Sequence, residues 1–234
     1  ERDYEKVASL LDGIKMLRDR NNCKMLRNMS GLPKVSRRTF DNFDVSRLSS
    51  ANKDMFEHLK SLSFLDTGFN VVIIGDPGTG KTHIAQAIGN LCCDKLYSTR
   101  YYKMAELEKK LKKAIENDKA NSLLENLSKV SCLIIDEVGH CDPLNERESN
   151  LFFQILDNRY DKGKGSTVFT SNMKPSEWRP LFFNASVARC ALDRIMDRCI
   201  AIDIRGASYR GQQKKVFKIS TSSVPEVTGL NLYQ

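Results

Sequence analysis

At 234 residues and 41% hydrophobic, with no apolar run near the roughly 18 residues that a membrane-spanning helix needs, the sequence fits one α/β domain with a modest appendage and excludes a helical membrane protein. The seven cysteines form no C-x-x-C pair, and His58, His83 and His140 share no metal-ligand spacing, so reduced thiols are expected and neither a disulfide framework nor a zinc site is. A net charge of +8 points to a polyanionic partner, nucleic acid in the simplest case, or else to a merely solvated basic surface.

The chain begins at Glu1-Arg2-Asp3-Tyr4, without an initiator methionine and with charge where a signal peptide would be apolar. A cytoplasmic fragment of a longer protein is the expectation. Residues 1 to about 28 read as an amphipathic helix with Val7, Leu10, Leu11, Ile14 and Leu17 on one stripe. Gly31-Leu32-Pro33 ends it, and Arg37 to Phe43 forms a basic, aromatic linker. A second helix is expected from near Ser50 to Leu62, closing an N-terminal helical segment and linker over residues 1–65.

The core is expected over residues 66–210. Strand one is Val71 to Ile74, followed by a glycine-rich loop and a helix to about Lys95. A short strand lies near Ser98 to Tyr102, then helices from Met104 to about Asn117 and from Asn121 to Ser128. Cys132-Leu133-Ile134-Ile135 is a continuous apolar run of the kind buried on both faces of a parallel sheet. Helix Glu146 to Tyr160, strand Thr167 to Thr170, helix Val187 to Asp197 and strand Ile200 to Ile204 complete the pattern. Strands alternating with helices imply a parallel sheet with right-handed crossovers. Residues 211–234 are polar and read as a flexible tail.

The chemistry starts at Gly75-Asp76-Pro77-Gly78-Thr79-Gly80-Lys81-Thr82, between a β-branched run and a helical pattern. Glycines let backbone N–H groups crowd around phosphate oxygens, and the helix N-terminus adds partial positive charge. Lys81 would reach the β- and γ-phosphates of ATP, and the Thr82 hydroxyl would hold Mg²⁺. These eight residues, with His83 next along the helix, make the expected nucleotide-binding set. Strand three ends in Asp136-Glu137, and ligands of parallel α/β sheets bind at the carboxyl ends of the strands. Asp136 can hold Mg²⁺ through water, while Glu137 can deprotonate the attacking water. Asn172, where strand four ends, can hydrogen-bond that water or the γ-phosphate. Arg194 and Arg198 share a helix face at i and i+4. They are either surface arginines paired with Asp193 and Asp197 or a finger completing a neighbouring subunit's site.

The order of Gly75–Thr82, Leu133–Glu137 with Val138-Gly139, Asn150-Leu151-Phe152-Phe153-Gln154, Arg159-Tyr160, Thr170-Ser171-Asn172, Glu177-Trp178, Leu192-Asp193-Arg194 and Ile204–Arg210 closely resembles the IstB-like ATPases. These are AAA+ helpers of insertion-sequence transposition, related to the DnaC and DnaI helicase loaders. The resemblance runs from about Thr39 to Arg210. It implies an AAA+ P-loop fold, a five-stranded parallel sheet of order 5-1-4-3-2 between helices, and no separate lid domain. It also implies ATP-dependent self-assembly on double-stranded DNA, which is bent and presented to a partner transposase of the IstA kind. By position, Lys81 and Thr82 match Walker A, Asp136 and Glu137 match Walker B, and Asn172 matches sensor 1. Arg194 matches the arginine finger, with Arg198 second. Phe40 and Phe43 match the segment that approaches adenine. Arg205 and Arg210 are the nearby sensor 2 candidates. A further N-terminal domain is usual in the family and is not visible here, and His140 stands where a tyrosine is common.

Arg100, Lys103, Lys109, Lys110, Lys112 and Lys113 crowd strand two and the next helix. The resemblance implies that this region faces a central channel, where phosphate contacts would be sequence-independent and salt-sensitive, with Lys103 foremost. The alternative is a solvated helix face laced with Glu106, Glu108 and Glu116. The competing function within the same fold is a loader of the DnaC type, binding a replicative helicase and single-stranded DNA. A nucleotide-dependent scaffold that scarcely hydrolyses ATP is the third, against which Glu137 argues.

Overall fold

The structure, a computed structural model, describes residues 2–34 and 37–204. Five strands, β1 (Asn70–Gly75), β2 (Thr99–Lys103), β3 (Cys132–Val138), β4 (Ser166–Ser171) and β5 (Cys199–Ile204), form one sheet. Its order is β2-β3-β4-β1-β5, and every neighbouring pair is parallel. Read from the other edge, this is the expected 5-1-4-3-2.

Alternating side chains serve two cores because both faces are covered. Val71, Ile73, Ile134 and Val168 point to one face and pack with Ile84, Ile88 and Phe56. Val72, Leu133, Ile135 and Phe169 point to the other and pack with Leu107, Phe152 and Ile155. A strand apolar at every position is stable only in such a sandwich. The first face carries α2 (Ser50–Lys60) and α4 (Lys81–Asp94). The second carries α5 (Met104–Glu116), α6 (Ala120–Lys129), α7 (Glu146–Lys162) and α8 (Ala185–Asp197).

Most expected elements form within one or two residues of their expected limits. The helix from Ser50 stops at Lys60, two residues early, and a separate short helix, α3 (Phe64–Thr67), follows. Leu62 takes a left-handed turn (φ 57°) that breaks the pair, and Gly68 (φ 69°) closes α3. At the other side, α7 continues past Tyr160 to a left-handed Gly163 cap, and the Asn184 side chain starts α8 by accepting from the Val187 N–H.

The first helix, α1 (Arg2–Met29), forms over the expected span. Its apolar stripe does not meet the core. Val7, Leu10, Leu11, Ile14 and Leu17 are between 53% and 65% exposed. Twenty-eight residues make a rod of about 42 Å, and among its described side chains those at the C-terminal end reach the domain. There Leu26 packs on the first core, and Arg27 pairs with Asp94 at the end of α4. Arg37 of the linker meets the same carboxylate, so helix end and linker converge on one point.

Residues 205–234 lie outside the described residues. With them lie the proposed tail, Arg205 and Arg210, and the motif that begins at Ile204, save for Ile204 itself.

Candidate functional site

The carboxyl ends of β1, β3 and β4 surround a cavity of about 740 Å³. The loop after β1 forms its floor. Gly75 is extended beyond what an L-residue adopts (φ 147°), and a Cβ there would lie 2.1 Å from the Ile204 carbonyl oxygen. Thus β5 packs directly against the loop's first residue. Lys81 folds back, and its Nζ donates to the carbonyls of Gly75 (2.8 Å) and Asp76 (2.7 Å). Gly80 (φ 101°) precedes α4, whose N-terminus faces the cavity through Lys81 and Thr82.

The two acids at the end of β3 are separated by a bulge. Ile135 pairs with Phe169, yet Val138 pairs with Ser171, so an extra residue is accommodated between them. Bulges re-aim side chains beside sites of chemistry. Here Asp136 is fully buried, whereas Glu137 adopts a left-handed conformation (φ 61°) and lines the cavity. A non-glycine residue held there stores about 1–3 kcal/mol of strain, which the Thr170 hydroxyl helps to offset by accepting from the Glu137 N–H (3.0 Å). The same hydroxyl donates a short bond to Asp136 Oδ1. Thr82 Oγ1 donates to that oxygen at 3.0 Å, and Tyr101 Oη donates to Oδ2 at 2.6 Å. Burial and the adjoining Asp136 charge push the Tyr101 phenol well up, keeping it a donor.

Asn172 stands exposed on the cavity wall just past β4, its Nδ2 3.3 Å from His140 Nε2. Behind it, Ser171 Oγ donates to the Val138 carbonyl and accepts from the Met173 N–H and the Trp178 indole N–H. Buried Trp178 thereby fixes the turn that carries Asn172, which gives the Glu177-Trp178 motif a physical role.

The linker supplies the roof. His83 Nε2 lies 2.9 Å from both the Thr39 carbonyl and Asn42 Oδ1. Both are acceptors, so that nitrogen carries the proton. Burial first, and the nearby Arg38 charge after it, lower the His83 pKa, partly offset by its bond to Thr39. One turn further on each time, Gln86 and Asn90 continue the same face of α4, and Asn90 Nδ2 donates to the Arg38 carbonyl (2.9 Å). Phe43 lines the cavity, but Phe40 does not. Phe40 is buried edge-on against Phe56 at 5.0 Å, and Phe43 packs on the same ring at 5.1 Å. A basic-aromatic linker meeting an apolar helix has two burial options, and spacing alone does not distinguish them.

The cavity thus gathers Phe43, Pro77, Gly78, Gly80, Lys81, Thr82, His83, Glu137 and Asn172 among the expected residues. It also includes Arg38, Asn42, Asp44 and His140, for which the sequence carried no motif signal. Lys81 with the loop suits a polyphosphate, and the oxygens of Thr82 and Asp136 suit a hard divalent cation such as Mg²⁺.

Arg194 and Arg198 do not line this cavity. Arg194 Nε donates to Asp157 Oδ1 (2.8 Å) and its guanidinium lies over the Tyr160 ring at 4.7 Å, which Arg198 shares at 5.4 Å. Contacts with Asp193 (3.4 Å) and Asp197 (3.8 Å) are longer. Of the basic set, Lys109, Lys112 and Lys113 are exposed on α5, and exposed Lys110 covers the Tyr102 ring. Arg100 donates to its neighbour's carbonyl on the edge strand. Lys103 is different: its Nζ pairs with Glu137 Oε2 at 3.0 Å, a bond that raises the lysine pKa.

No described helix is long and apolar enough to cross a membrane. The insertion sequence IS232 ATP-binding protein of Bacillus thuringiensis subsp. berliner is 34% identical over 83% of this chain and 76% of its own length. The insertion sequence IS21 ATP-binding protein of Pseudomonas aeruginosa is 30% identical over 82% and 71%. Solved structures share the AAA+ fold at lower identity. AMPPCP-bound DnaA from Aquifex aeolicus superposes with a TM-score of 0.61 at 22% identity, over 75% of this chain and about half (51%) of that one. The DnaC helicase loader gives 0.55 at 19%, over 72% of this chain and 97% of that one. Residues 3–216 match the profile of the IstB-like ATP binding proteins, and the chain belongs to that family.

Proposed function

We propose that this ATP-binding protein hydrolyses ATP, assembles with further copies on double-stranded DNA, remodels it, and recruits or activates a partner transposase. The observation that carries the catalytic part is the bulge in β3. It turns Glu137 into the cavity that holds Lys81, Thr82 and Asn172, while Asp136 stays buried beside them. A scaffold that only bound nucleotide would have no use for a strained acid at that point.

In this reading, the loop glycines and Lys81 hold the phosphates and neutralise charge on the β- and γ-groups. Thr82 and Asp136 would hold Mg²⁺, Asp136 through water, and the ion would supply charge neutralisation on the phosphate oxygens. Glu137 accepts the proton of the attacking water, and Asn172 orients that water. Arg194 acts on a neighbouring subunit's site, in keeping with its position away from its own cavity. Pairing with Asp157 and Tyr160 fits an arginine held ready on an exposed helix.

The DNA and transposase parts rest on family membership, on relatives named as insertion-sequence proteins, and on the net charge of +8. Exposed Lys109, Lys112 and Lys113, with Lys103, Lys110 and Arg100, are the proposed phosphate contacts. Electron microscopy of ATP-bound protein with duplex tests the reading: rings or filaments on bent DNA are expected. Failure to assemble on duplex, with tight binding to a replicative helicase instead, would overturn it in favour of a loader.

A further inference from the structure

We infer that Tyr101, aligned by Gln86, is a positioning residue that presents the Asp136 carboxylate to the divalent cation. The inference deepens the proposed function, since it rests on Thr82 and Asp136 as the residues that would hold the cation.

Asp136 is fully buried, and both its oxygens are engaged by hydroxyl groups. Thr82 and Thr170 hold Oδ1, and Tyr101 holds Oδ2 at 2.6 Å. A phenol has one proton to give. The Gln86 side-chain N–H occupies the acceptor side of that phenol at 3.1 Å, so the phenol proton is directed to Asp136. Thr82 and Gln86 stand one turn apart on the same face of α4, at i and i+4. Successive turns of the P-loop helix therefore address the two oxygens of one carboxylate, the first directly and the second through Tyr101. The bond to an ionised acceptor is of the stronger kind. It fixes rotation about the Cβ–Cγ bond, which decides how the oxygens face the cation.

The backbone holds Tyr101 equally firmly. β2 is an edge strand, and the Tyr101 N–H on its free side donates to the Ser30 carbonyl (2.7 Å) just after α1. Gly31 follows in a left-handed conformation (φ 78°), where a Cβ would come within 2.7 Å of the Tyr101 carbonyl oxygen. The chain leaving α1 thus runs against the strand edge at the residue whose side chain reaches Asp136.

Binding of a fluorescent ATP analogue, titrated over Mg²⁺ concentration and in EDTA, tests this on the folded full chain. Tyr101→Phe, which removes only the hydroxyl, is expected to raise the Mg²⁺ needed for half-maximal effect by about tenfold, the lower end for one hydrogen bond to a charged group. Affinity in EDTA stays at the wild-type value. Gln86→Met gives a smaller shift in the same direction. A merely structural role would lower affinity in both conditions alike, and that result overturns the inference. So does an unchanged Mg²⁺ requirement in Tyr101→Phe while Asp136→Asn shifts it. If Asp136→Asn also leaves the Mg²⁺ requirement untouched, the metal reading of Asp136 fails, and this inference with it.

Discussion

Lys103 Nζ, at the end of the edge strand, lies 3.0 Å from Oε2 of Glu137 on the neighbouring strand. The register that pairs Lys103 with Asp136 brings the lysine beside the bulge, where Glu137 turns toward it. An ammonium at that distance engages the carboxylate of the proposed base and holds it to one side. Lys103 is also the foremost proposed contact for DNA phosphate, and one ammonium serves one anion well at a time. On that reading, duplex and glutamate would compete for it.

Lys103→Met is accordingly expected to raise phosphate release in the absence of DNA by about two- to fivefold, the range of a half-exposed ion pair. The added stimulation by duplex should shrink correspondingly. Turnover that falls without DNA would show that the lysine assists hydrolysis instead. The effect should fade in wild-type protein as salt rises.

Glu137→Gln removes the base but preserves shape. Turnover should fall by about 10²-fold or more, within the range of general-base catalysis, while ATP binding persists. Lys81→Ala should lose binding itself. Phosphate release and equilibrium nucleotide binding, measured on both variants, separate the two roles.

Arg194 is seated on α7 by Asp157 and by the Tyr160 ring. Arg194→Ala should leave ATP affinity in dilute protein unchanged and lower turnover in the DNA-assembled state by about 10³-fold, the lower end for a transferred arginine. Mixing the variant with an excess of Glu137→Gln subunits should restore some activity, because the intact arginine then comes from a neighbour. A large loss of affinity in the monomer would place the residue's action in its own site.

The centre of the sheet was legible from sequence because β1 and β3 are short apolar runs rich in β-branched residues, as two-faced burial demands. The loop lysine was legible from the glycine-rich spacing between β1 and α4, and the two acids and Asn172 because each sits at or just past the end of a strand. What escaped depends on the third dimension. Nothing local marks Tyr101 as a partner of Asp136, since the contact crosses from β2 to β3. His140 and Arg38 reach the cavity from loops with no spacing signal. The stripe on α1 was read correctly as helical, but periodicity reports only that a face is apolar and not what it meets. Phe40 shows the same limit: an aromatic residue in a linker packs wherever the nearest apolar surface lies, here Phe56.

Arg159 illustrates a structural role hidden inside a motif. It is fully buried and donates to the carbonyls of Leu127, Val130 and Ser166 and to the Thr167 hydroxyl. Burial lowers its pKa to about 10. Arg159→Leu would strand those buried carbonyls, each lost partner worth about 1–3 kcal/mol. A fall in thermal stability is expected with or without nucleotide, by calorimetry, and Arg159→Lys should recover part of it.

His83 makes stability depend on pH. Its folded pKa is lowered, chiefly by burial, below the ordinary 6.5. Between those two values the unfolded chain holds more protons than the folded one, so stability falls as pH drops below about 6.5 and the loss is complete beneath the folded pKa. Above that window the histidine is neutral in both states and contributes no slope. The loss is limited to about 1.4 kcal/mol per pH unit for one proton. His83→Gln keeps an N–H donor for Thr39 and Asn42 without a titrating ring. Denaturant melts of both proteins from pH 7.5 to 5 should diverge on the acid side, with the variant falling less steeply. Because the imidazole holds the roof over the cavity, wild-type ATP affinity should weaken over the same window. Parallel melts for the two proteins would remove His83 as the cause.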